Sequence, residues 1–181
     1  MTTVQDDVVE RVTSYIKHNA TKEPPALRAL VEQGHAQLTG VLDGMSDGQA
    51  NFKPAPDVWS ALECLRHVAT AKRGVARICE RLAAGEEIAG KGREGDEQDG
   101  IMGAETYTSV AQARKAIEGA HADLLAFVDG SLAGADLDTR FNHFVFGDLN
   151  CREWAAFQRV HDGDHANQIE KVRSAPGYPA S

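Results

Sequence analysis

The stretch NCREWAAFQRVHDGDHANQIEKV (residues 150–172) decides the fold. Asn150 and Glu153 stand three apart, the spacing of an N-terminal cap pair. Behind them Trp154, Phe157, Val160, His161, His165, Gln168, Ile169 and Val172 recur at the three- and four-residue intervals of one helix face, and Pro176 closes the segment. An amphipathic helix of this kind must bury its stripe against other elements. Here the stripe carries His161 and His165, one turn apart on the same side.

Working outward, the rest of the chain offers matching partners. Trp59 precedes an S-x-x-E capping box (Ser60, Glu63), and Leu65, Val68, Val75, Ile78, Cys79 and Leu82 then trace a stripe to about Ala84. Another helix is expected from Pro24 to Leu42, with Leu27, Leu30, Val31, Gly34, Leu38, Val41 and Leu42 at helical spacing and Gly44 past its end. A fourth starts near Ser109, with Gln112 three residues on, runs through Val110, Ala113, Ile117, His121, Leu124, Phe127 and Val128, and ends at Gly130 and Gly134. Residues 44–59 are expected to form a loop and 85–106 an acidic, glycine-rich one. The alternating TRFNHFVFGDL (139–149) fits a short hairpin or extended segment. Residues 3–18 suit a short helix with Val8, Val12, Tyr15 and Ile16 on one side, read as an addition to the core. The fold class is therefore all-α: a four-helix bundle over 23–173 with an N-terminal extension over 1–22, in one domain of 181 residues.

Composition narrows the function. A net charge of −8 and a pI near 5.3 argue against a general nucleic-acid binder, which needs a basic face. No apolar run approaches the roughly 20 residues of a membrane span. Cys64, Cys79 and Cys151 are odd in number and widely spaced, unlike a disulfide framework. Reduced thiols and the absence of a signal-peptide pattern point to a cytoplasmic protein. A small-molecule substrate is the expected partner, and the apolar residues of the N-terminal helix leave a homodimer open.

Two readings compete for His161 and His165: a pair that grips a metal ion, or an ordinary partly buried pair. His67 lies two turns into its helix near the inner stripe, where a histidine is usually a satisfied polar residue. A zinc-protease H-E-x-x-H motif fails because Asp162 stands where glutamate is needed. An HD-type phosphohydrolase needs an aspartate after Asp164, and there is none. A di-iron carboxylate bundle wants two Glu-x-x-His motifs, whereas Glu63 and His67 are four apart.

The stretch WSALECLRH (Trp59 to His67), the stretch HFVFGDLNCREW (His143 to Trp154) and the H-x-x-x-H-x-x-Q-I run from His161 to Ile169, in that order, resemble the DinB-like superfamily across roughly residues 25–173. The resemblance implies up-down-down-up topology and a divalent metal, zinc or nickel, held by one histidine from the second helix and two from the last. These map onto His67, His161 and His165. Relatives of known activity include bacillithiol-dependent S-transferases of the YfiT type and mycothiol-dependent maleylpyruvate isomerases, so a low-molecular-weight thiol is a further expected cofactor.

Three imidazoles leave open positions on a metal, where a thiol or water becomes a nucleophile. The expected activity is metal-dependent thiol transfer or hydrolysis; the alternative is a non-catalytic metal-binding or dimerising bundle with a closed site. Gln168 and Asp164 are candidates to orient the ligands. Glu63 reads as the capping residue, and Cys64 as the staple partner of Trp59 rather than a fourth ligand. His35, His121 and His143 read as structural and His18 as exposed.

Overall fold

The computed structural model describes residues 4–90 and 105–180; most of the expected acidic connection (91–104) lies outside them. The chain folds as an all-α bundle with one small hairpin. Its elements are α1 (Val4–Ala20), α2 (Pro24–Gly40), α3 (Asp47–Asn51), α4 (Ala61–Ala83), α5 (Val110–Gly130), β1 (Phe141–His143), β2 (Gly147–Leu149) and α6 (Cys151–Arg173).

The helix starts are chemically defined. At α4 the Ser60 hydroxyl accepts from the Glu63 amide while the Glu63 carboxylate accepts from the Ser60 amide. At α6 Asn150 and Glu153 make the same reciprocal pair. Each box satisfies backbone donors that the helix cannot. At α5 Ser109 caps Gln112, but the Gln112 side chain returns to the Thr108 amide rather than to Ser109.

Contacts between helix ends fix the topology. Arg28 at the start of α2 pairs with Asp129 at the end of α5, and Asp43 beyond α2 pairs with Arg114 at the start of α5, so these two run antiparallel. The end of α4 meets the end of α5 through Glu80 and Ser131, so they run parallel. Cys79 meets Cys151, and His67 meets His161, which sets α4 against α6 antiparallel. Arg159 reaches Gln33 and Gln37, and Arg173 reaches the Val41 carbonyl, so α2 and α6 run parallel. The order is up-down-down-up. Gly34 lets α2 approach α6 closely, since a β-carbon there would lie 3.1 Å from Arg159 Cα.

Two expectations change. The connection over 44–59 contains the short helix α3, closed by a capping box of Ser46 and Gln49. Helix α1 is more than an appendage. Ile16 is fully buried, Ala20 joins the same core, and Arg152 of α6 donates to the carbonyl of Ala20 at the helix end and to that of Lys22 beyond it. Its buried side is thus Val12, Ile16 and Ala20, while Val8 and Tyr15 face outward.

The core is not continuous. One apolar cluster gathers Leu27, Val31, Val75, Leu82, Leu124 and Phe127, and a second gathers Leu38, Leu65, Val68, Ile117 and Ile169. Between them, each long helix contributes polar side chains: His35 from α2, Lys72 from α4, His121 from α5, and Gln158 and Asp162 from α6. Lys72 Nζ donates to Asp162 Oδ2 at 2.5 Å, both side chains fully buried. His35 and His121 stack face to face, ring centroids 3.8 Å apart and 1° from parallel.

Burial, then the Lys72 and Arg114 charges, pushes His35 down to about 4; burial, then His35, Lys72 and Arg28, pushes His121 down to about 3. Both are therefore neutral when folded and protonate near 6.5 when unfolded. Between those values the unfolded chain binds more protons, so stability falls as the pH drops from about 6.5 toward 3. The slope is at most about 1.4 kcal/mol per pH unit for each histidine, and less for half-exposed His35. A His35→Phe/His121→Phe chain should lose stability less steeply in urea titrations between pH 6.5 and 4; a slope equal to wild type would remove the pair as its source.

Candidate metal centre

The antiparallel seam of α4 and α6 brings three imidazoles together. His67 Nε2 lies 3.1 Å from His161 Nε2. The His165 ring centroid is 4.8 Å from that of His67 and 4.6 Å from that of His161. One ring nitrogen from each of the three falls within 4.8 Å of the others, with His165 buried and the other two half-buried. No Cys, Asp or Glu joins this group among the described residues.

The electronic state suits ligation. Gln168 Oε1 lies 2.9 Å from His165 Nδ1; an amide oxygen only accepts, so Nδ1 carries the proton and Nε2 keeps a lone pair. Burial holds His165 below its ordinary value. Burial, then the charges His165 and His67 would carry, holds His161 well below it. A single proton shared between His67 and His161 links only that pair. One divalent cation would satisfy all three. Three nitrogens about 2.0–2.1 Å from a tetrahedral Zn²⁺ stand about 3.3–3.4 Å apart, close to the 3.1 Å between the His67 and His161 nitrogens. The residues fit a metal ion.

The other candidates separate by their contacts. Partial burial works against the charge of Glu63, but the Ser60 amide and Lys53 outweigh it and hold its carboxyl below the usual value. Glu63 is committed to the cap. Cys64 is fully buried in the apolar cluster, and burial pushes its thiol up to about 12, so it offers no thiolate. Asp164 is exposed, whereas Gln168 makes the orienting bond. His143 is buried in the hairpin, where its Nδ1 accepts from the Val145 and Phe146 amides, and His18 is exposed.

Sequence reasoning missed the walls. Trp59 packs on the site as well as near Cys64: its ring lies 5.2 Å from His67 and 6.3 Å from His165, 15° from parallel with the latter. Phe157 stands 5.4 Å from His161, and His143 packs behind Phe157 at 4.6 Å. Phe157 precedes His161 by one turn, which is the signal that could have found it.

The sequence model of the DinB superfamily matches residues 30–169, from mid-α2 to the last turns of α6. The chain belongs to the DinB superfamily. The match spans all three histidines and the helices that carry them. No curated protein and no solved structure matches the chain. No helix among the described residues is long and apolar enough to cross a membrane.

Two substitutions separate the roles of Glu63 and Gln168 in this DinB-superfamily chain. Gln168→Leu should weaken Zn²⁺ binding about 10- to 100-fold in a chelator competition, with unchanged helicity by circular dichroism. Glu63→Ala should leave Zn²⁺ affinity near wild type while lowering unfolding free energy by about 1 kcal/mol. The reverse pattern would exchange their roles.

Proposed function

We propose that this member of the DinB superfamily is a metal-dependent enzyme in which His67, His161 and His165 hold one divalent cation, zinc or nickel, and that it acts on a small molecule by thiol S-transfer or hydrolysis. The observation that carries this reading is the composition of the donor group: three histidines and no fourth protein donor among the described residues. Structural zinc sites are closed by four protein ligands, whereas catalytic ones keep a position open. The alternative of a closed, non-catalytic site calls for a fourth donor; Glu63 is held by the Ser60 cap and Lys53, and Cys64 is a buried thiol.

A divalent cation in this setting supplies Lewis acidity, lowering the pKa of a coordinated thiol or water into the neutral range. The chain's own residues do the rest. His165 is fixed in one tautomer by Gln168, so its lone pair faces the group without a proton to lose. His161, held neutral by burial, likewise offers a lone pair without competition from a proton. Trp59 and Phe157 border the histidines with apolar surface, which keeps water from one side and favours a substrate with an apolar or thioether portion.

Elemental analysis of freshly purified protein should find about one zinc or nickel per chain, and His161→Ala should remove it. The metal-loaded chain should then accelerate consumption of an electrophile such as 1-chloro-2,4-dinitrobenzene by at least one of a panel of low-molecular-weight thiols, or hydrolysis of an activated ester. Equal metal content in wild type and His161→Ala refutes the site. A loaded protein inert toward every thiol and ester tested, but unfolded by chelation, favours the structural alternative.

A further inference from the structure

The polar layer at mid-bundle contains one interaction that the metal reading leaves unused. Lys72 lies five residues beyond His67 on α4, and Asp162 is the residue after His161 on α6. Their side chains are fully buried and joined at 2.5 Å, beside the His67–His161 contact at 3.1 Å. We propose that Lys72 and Asp162 are positioning residues for the metal centre: their ion pair sets the register and rotation at which α4 presents His67 to His161. This rests on the metal reading above.

The argument begins with what apolar packing leaves undetermined. The two clusters on either side of the layer hold α4 and α6 together, but hydrophobic attraction has no direction and tolerates changes of partner. An ammonium–carboxylate contact is different. It must be met at hydrogen-bond distance, and a buried charge pulled from its partner is strongly disfavoured. A slip of one helical turn along the seam is about 5.4 Å, enough to part His67 from His161. Rotation is constrained as well. Successive helix residues diverge by about 100°, so Asp162 turned inward to Lys72 leaves His161 turned toward His67.

The pair is also poorly built for stability alone. Asp162 Oδ1 has no partner, and neither amide atom of the neighbouring Gln158 has one. A partly satisfied buried pair is a net cost relative to apolar side chains of similar volume. Stability and metal affinity should therefore come apart when the pair is replaced, whereas a purely structural role would move both together.

The test compares three full-length chains: wild type, Lys72→Met/Asp162→Leu, and Lys72→Gln/Asp162→Asn, the last keeping a neutral hydrogen bond. Zn²⁺ affinity is read by competition with a chromophoric chelator, and stability by urea unfolding of the metal-free protein. The apolar pair should resist urea at least as well as wild type yet bind Zn²⁺ about 10- to 100-fold more weakly, the size of effect seen when ligand-orienting groups are lost. The neutral pair keeps a directional hydrogen bond but gives up the penalty for parting buried charges, so its Zn²⁺ affinity should fall between those of wild type and the apolar pair. Wild-type affinity in the apolar pair overturns the inference, as does equal loss in both variants. If Lys72→Met/Asp162→Leu does not fold, Lys72→Met/Asp162→Met takes its place under the same outcomes. A wild-type chain that binds neither Zn²⁺ nor Ni²⁺ refutes instead the metal reading on which the inference rests.

Discussion

The antiparallel seam between α4 and α6 is the constraint on which the rest of this structure depends. His67 is on one side of it and His161 and His165 on the other, so the three nitrogens meet only at one relative height. Three kinds of contact mark that height. Cys79 donates to the Cys151 carbonyl near one end, Lys72 meets Asp162 in the middle, and the histidines meet beyond it. Both helices also begin at reciprocal capping boxes. A box defines where a helix starts but not how it lies against a neighbour, so register falls to the contacts along the seam.

Much of this was legible in the chain and some was not, for physical reasons. The starts of α4 and α6 could be read because Ser60–Glu63 and Asn150–Glu153 are local chemistry at fixed spacing. Helix α3 uses the same device at Ser46–Gln49, but a five-residue helix containing Gly48 has no apolar stripe to draw attention to the cap. The pairing of His161 with His165 follows from helical period alone. The approach of His67 does not, because it depends on the height of one helix against another; only the ordered motifs shared with the superfamily indicated it. Lys72 was hidden by the habit of reading stripes as apolar. It falls in step with Leu65, Val68, Val75, Cys79 and Leu82, and its place in that period was the available clue.

The make-up of the cluster bears on its chemistry. Three imidazoles, with no carboxylate among them in the described residues, would leave the full charge of a bound divalent ion uncompensated. Such an ion polarises an added thiol or water more strongly than one already neutralised by aspartate or glutamate. The nearest buried carboxylate, Asp162, faces Lys72 instead, and burial pushes its carboxyl up despite that ammonium. The fold thus keeps a negative group beside the three histidines while directing it away from them.

Helix α6 carries two of the three histidines, and the structure secures it at both ends. Arg152 in its first turn donates to the carbonyls of Ala20, the last residue of α1, and of Lys22 beyond it, while Arg173 in its last turn donates to the Val41 carbonyl beyond α2. In each case a charged donor serves backbone acceptors at a helix end, which would otherwise need water. The N-terminal helix lies before the segment matched by the superfamily, yet it buries Ile16 and supplies one of these anchors. Ligands on one helix gain precision when that helix cannot shift along its own axis. Helix α1 therefore adds to the family bundle a fixed point at the start of the helix on which the site is built.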